Sequence, residues 1–248
     1  MTSADPAVDD GAVPDGSATG DGASGGYGRS VRIASRTLGE LLVTAGVILL
    51  LFVAYQLVWT NVQADRAMQA HTNELLHRWQ TQPTAPEFDL PLKHGEPFAL
   101  LRIPRLGANY HVPIIEGVTL TDLAEGVGHY PGTALPGQVG NFSVAGHRAT
   151  NGEPFAELDQ LRSGDPVVVE TATTWYTYIV YSEQIVAPTQ VDVILPVPGE
   201  PHATPTEKLL TLTTCNPRWA SYERLIFHAR LVEAKPKSDG RPNALAGG

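Results

Sequence analysis

The chain has 248 residues, 42% of them apolar, enough for one domain with a sizeable core plus appendages. Its formal charge of −9 argues against a nucleic-acid partner. A single cysteine, Cys215, excludes an internal disulfide framework and a thiolate-rich zinc site, and the eight histidines show no HExxH or other ligand spacing, so neither a metal nor another cofactor is expected.

Residues 1–40 open with a tract of Gly, Ala, Asp and Ser that cannot bury enough surface to offset its ordering entropy. It is expected to be disordered and to end in a basic flank of Arg29, Arg32 and Arg36. Residues 41–59, LLVTAGVILLLFVAYQLVW, are uncharged and match the roughly 20 residues that cross a hydrocarbon core as a helix. Arginines before this segment, with Tyr55 and Trp59 at its far end, predict a single-pass anchor with a cytoplasmic N-terminus and an extracellular C-terminal domain. Residues 60–96 read as a helical stalk and a proline-rich tether.

From residue 97 to 234 the pattern is mainly β. Strands are expected at 98–104, 110–115, 141–146, 166–171, 174–186, 208–214 and 224–233, with short helices at 119–125 and 154–161. Residues 126–140 hold five glycines and two prolines and read as a loop. The proline-rich stretch 188–206 reads as a lid or a substrate wall. Residues 235–248 read as a flexible tail. Many short strands with few helices suggest a closed barrel, because closure removes unpaired edges.

The stretch KLLTLTTCNPRWASYERLIFHARL, residues 208–231, carries the chemistry. Asn216-Pro217 ends one strand and Arg224 opens the next, in which Leu225, Phe227, Ala229 and Leu231 share a face. If the two strands are neighbours, a thiol and a guanidinium meet at one rim of the sheet. Cysteine is the strongest neutral-pH nucleophile available, a histidine can hold or return its proton, and a fixed cation can stabilise an oxyanion. Each residue also has a plainer reading: Cys215 as a buried small hydrophobe, Arg224 as the ion-pair partner of Glu223, and Arg148 as a solvated side chain.

TLTTC followed by RLI resembles the TLxTC…R signature of the sortases, membrane-anchored cysteine transpeptidases of Gram-positive bacteria. The segment NFSVAGHR at 141–148 resembles their catalytic-histidine segment. The nine-residue spacing from Cys215 to Arg224, the Cys-Asn-Pro and the HYPGTALPG segment are most similar to class E sortases of high-GC species. The resemblance implies an eight-stranded sortase barrel with Cys215 as nucleophile, His147 as acid and base, and Arg224 on the substrate backbone or the oxyanion. It also implies an LAxTG-like sorting signal as substrate and an amine of a peptidoglycan precursor as acceptor. Tyr130 lies where sortases line the groove for substrate, so its hydroxyl is a candidate backbone contact; packing under a loop is the alternative. Thr214, beside the thiol, is a second candidate contact or simply a β-former. A non-catalytic, membrane-tethered β domain that binds an extracellular ligand is the competing reading.

Overall fold

The structure, a computed structural model, describes residues 25–82, 86–88 and 90–246. The first 24 residues of the expected disordered tract lie outside them. Helix α1 runs Gly25–Thr81, uninterrupted by any proline, so the basic flank and the stalk are both helical. The chain divides after Val53 into two units. In the first, α1 exposes its leucines and valines from Leu38 to Val53, and this helix is long and apolar enough to cross a membrane. In the second, α1 turns Ala64, Met68, Thr72 and Leu75 inward, spaced four, four and three residues apart as one helical face requires.

The second unit is built on a closed eight-stranded barrel, β1 (Pro97–Arg102), β2 (Val112–Glu116), β3 (Val127–His129), β4 (Gly140–Ala145), β5 (Pro166–Glu170), β6 (Thr174–Val186), β7 (Lys208–Asn216) and β8 (Glu223–Pro236). Around the barrel the order is β1-β2-β3-β4-β7-β8-β6-β5. The β2–β3 and β4–β7 pairs are parallel and the others antiparallel. Period-two alternation sends Phe142, Val144, Leu210, Leu212, Leu225 and Phe227 into a common core. The opposite face of β8 is covered as well: Ile226 packs with Val186 at the end of β6 and Val193 of the β6–β7 connection.

Helix α2 (Leu120–Glu125) starts where Thr119 and Asp122 form a reciprocal capping box. Besides residues 25–40, helical where disorder was expected, three segments differ from the sequence expectation. The glycine-rich stretch 126–140 contains β3, which pairs in parallel with β2 and antiparallel with β4; three residues are too few to show a strand period. Residues 154–161 form turns and a 3-10 segment, Leu158–Gln160, in place of an α-helix. Phe155, Leu158 and Leu161 recur every third residue and all reach the core, a spacing that suits three residues per turn. The C-terminal segment, expected as a flexible tail, extends β8 and then docks. There the Lys237 ammonium lies 2.9 Å from the Glu170 carboxylate and 3.9 Å from the Trp79 ring centroid.

Candidate active site

Strands β4, β7 and β8 lie side by side, and their ends converge at one rim. In the β7–β8 pair Cys215 stands directly opposite Arg224, where antiparallel partners have Cα atoms roughly 5 Å apart. Their side chains share one face of the sheet. In the parallel β4–β7 pair Ala145 is matched to Thr213. The register continues past the strand: the Gly146 N–H donates to the Thr213 carbonyl (3.1 Å) and the Thr214 hydroxyl donates to the Gly146 carbonyl (2.8 Å). His147 therefore emerges from β4 at the level of the thiol. Gly146 is required there, because a Cβ would come within 2.7 Å of the Phe155 ring.

His147 is half-buried, and burial lowers its pKa below the ordinary imidazole value, so the neutral ring prevails at neutral pH. The Asn151 amide lies 3.2 Å from Nε2 and the Thr150 hydroxyl 3.5 Å from Nδ1. An amide NH2 can only donate, so this arrangement holds the ring proton on Nδ1. Cys215 is a free, partly exposed thiol, unlike an inert core cysteine. Arg224 does not pair with the Glu223 carboxylate. Its Nη1 donates to the backbone carbonyls of Ser221 (3.1 Å) and Glu223 (2.9 Å), while Glu223 accepts from the Asn216 amide (2.9 Å). Nε and Nη2 of Arg224 make no hydrogen bond among the described residues, which leaves donors available to a substrate.

Arg148 is not solvated as expected. It is 5% exposed, and its Nη1 donates to the Cys215 carbonyl (3.3 Å) and to Asn216 Oδ1 (2.8 Å), while Nη2 pairs with Asp159 at 3.0 Å. One guanidinium thus ties the residue after His147 to the end of the strand that carries Cys215. Arg218, in the connection between β7 and β8, is also held: its Nη2 lies 2.7 Å from Glu153.

Tyr130 donates or accepts a hydrogen bond of 3.1 Å with the Thr213 hydroxyl. Alternation along β7 puts Thr213 on the Cys215 face and Thr214 on the other. Thr214 is 3% exposed with its hydroxyl committed to Gly146, so its contribution is to hold the His147 segment, and Thr213 is the threonine that meets Tyr130.

The family model described as "Sortase domain" matches residues 101–232. The chain belongs to the sortase family. This sortase is 40% identical over 221 residues to sortase SrtE1 of Streptomyces coelicolor, an alignment covering 86% of the chain and 61% of that relative. It thus spans less than two thirds of the SrtE1 length. It is 35% identical to SrtE2 of the same organism, over 86% of the chain and 87% of the relative. The solved structure of sortase E from Streptomyces avermitilis superposes with a TM-score of 0.57 at 45% identity, covering 62% of this chain and 99% of that one. The class E resemblance read from the Cys-Asn-Pro and HYPGTALPG segments agrees with these relatives.

Two residues at this rim escaped sequence reasoning. Arg148 directly follows His147, yet nothing in the sequence distinguishes a buried arginine from a solvated one. Asn151 carries no motif, although a polar residue four positions past the expected catalytic histidine is a place to look for a partner of its ring.

Proposed function

We propose that this sortase is a membrane-anchored cysteine transpeptidase that cleaves an LAxTG-like sorting signal between Thr and Gly and passes the acyl chain to an amine of a peptidoglycan precursor. The supporting observation is the facing pair Cys215–Arg224, with His147 delivered to the same rim through the hydrogen bonds of Gly146. His147 takes the thiol proton as the sulfur attacks the Thr carbonyl carbon. The carbonyl oxygen becomes an oxyanion, and the unengaged donors of Arg224 stabilise it. As the C–N bond to Gly breaks, His147 returns the proton to the leaving amine. The acceptor amine then attacks the thioester carbon, the C–S bond breaks, and His147 carries the amine proton back to the thiolate.

The apolar residues 41–59, following Arg29, Arg32 and Arg36, support an anchor with this domain outside the cell. A membrane-impermeant protease applied to intact cells should degrade the domain beyond Trp59, and full protection would overturn that orientation. The chemistry is tested by intact-mass spectrometry of the full chain with LAxTG and LPxTG peptides, with and without an amine acceptor. A Cys215 acyl adduct that the amine converts to a transpeptidation product is expected, with LAxTG preferred. No adduct with either peptide would sink the reading, and products indifferent to the amine would make the protein a hydrolase.

A further inference from the structure

The loop that follows His147 touches three separate parts of the domain. Asn151, Gly152 and Glu153 have φ of 52°, 72° and 49°, three consecutive residues in the left-handed region. Glycine takes that conformation freely and asparagine tolerates it, but glutamate pays a steric cost, so this turn needs outside support. The support comes from α1. The Asn61 side chain accepts from the Gly152 N–H with Oδ1 (3.2 Å) and donates from Nδ2 to Glu153 Oε1 (3.2 Å). The contact is close-packed as well: a Cβ on Gly152 would lie 2.3 Å from the end of Met68 and 3.0 Å from the Asp65 carboxylate. The helix can bear this load because its inward face, Ala64, Met68, Thr72 and Leu75, is buried against the domain.

The other ends of the turn reach the reacting groups. The Asn151 amide meets His147 Nε2 at 3.2 Å, and the second oxygen of Glu153 takes Arg218, three residues beyond Cys215, at 2.7 Å. A single side chain on α1 therefore holds a turn whose two neighbours are the imidazole and the loop that follows the nucleophile. We propose that residues 61–75 of α1 are a positioning element of the active site, with Asn61 locking the strained 151–153 turn and, through it, the His147 ring and the Arg218 arm of the Cys215 loop. This rests on the reading of His147 and Cys215 as the reacting groups, and it makes the segment next to the apolar span part of the catalytic apparatus and not only a spacer.

The test uses the full chain in lipid nanodiscs, with Asn61→Ala and Asn61→Asp. Hydrogen exchange of the 150–154 segment, read without any substrate, should accelerate at least about tenfold in Asn61→Ala, as expected from losing both of its hydrogen bonds to the turn. Single-turnover acylation by a sorting peptide should fall about tenfold while peptide KM stays within roughly twofold and the melting temperature of the barrel holds. Asn61→Asp keeps an acceptor for Gly152 but sets a carboxylate against Glu153, so it should acylate more slowly than Asn61→Ala. Unchanged exchange overturns the lock. Faster exchange with unchanged acylation overturns the positioning role. A wild-type chain that never acylates defeats the transpeptidase reading and the catalytic part of this inference together, while the exchange result still decides whether α1 holds the turn.

Discussion

Two histidines flank β7, and they are held in opposite ways. His228 on β8 has both ring nitrogens committed, Nδ1 to the Thr211 hydroxyl at 2.8 Å and Nε2 to the Gln184 amide at 2.7 Å. Thr211 donates onward to Asn141 (2.7 Å), whose amide in turn donates to the Val193 and Leu195 carbonyls of the β6–β7 connection. This chain of bonds clamps that connection onto the barrel, and burial pushes the His228 pKa down to about 4. His147 is shifted in the same direction by the same cause, but its partners stand at 3.2 and 3.5 Å and come from a strained turn. The comparison teaches that desolvation alone does not mark a reacting imidazole. A ring whose bonds are all short and closed contributes to the fold, whereas a ring with long, replaceable bonds can exchange them for a substrate's.

The contrast is sharpest if the rim can be disabled without touching the fold. Cys215→Ala removes only a partly exposed thiol, so acyl-enzyme should vanish from mass spectra while the melting temperature barely moves. An adduct surviving in this variant would assign the nucleophile elsewhere. Next in size is Arg224→Ala, expected to lose about 100- to 1,000-fold in turnover, the usual loss of an oxyanion donor. Arg224→Lys should fall between, since an ammonium lacks the planar fork. Near wild-type transpeptidation by a folded Arg224→Ala protein would break the assignment.

Arg148→Met probes the seam between the two regions. Losing charged hydrogen bonds to Cys215 and Asn216 should cost about 3 kcal/mol in chemical denaturation, and a loss below roughly 0.5 kcal/mol would return Arg148 to the plain surface role. His228 makes a pH-dependent prediction of similar size. Its folded pKa lies below its unfolded value, so the fold favours the neutral ring. That stabilisation is complete above pH 6.5 and is lost as pH falls toward 4, in total about 3 kcal/mol. His228→Gln should flatten the loss of stability across this window and leave transpeptidation per folded molecule unchanged near neutrality. An unaltered acid unfolding curve would refute it. Smallest is Tyr130→Phe, which removes the bond to Thr213 on the Cys215 face. A roughly threefold rise in peptide KM is expected from one neutral hydrogen bond, and a lower melting temperature with unchanged KM would leave Tyr130 as packing only.

Chain-local physics made much of this protein legible from its sequence. The β8 alternation of Leu225, Phe227 and Ala229 is a period-two pattern, the Thr119–Asp122 cap is a four-residue device, and residues 41–59 are a length and a composition. Even the meeting of Cys215 with Arg224 was readable, because one short connection joins the two strands and the register follows. What the tertiary structure alone decided has no local period. β3 exists because β2 and β4 lie on either side of it, not because Val127, Gly128 and His129 favour a strand. Arg148 is buried because Cys215 and Asn216, more than sixty residues later, offer it acceptors. Thr214 turns from the thiol because the pleat at that position faces Gly146. Asn61 meets Gly152 and Glu153 across about ninety residues, since a polar side chain acquires its role from whichever group the fold sets within hydrogen-bond reach, and that neighbour is not written beside it in the chain.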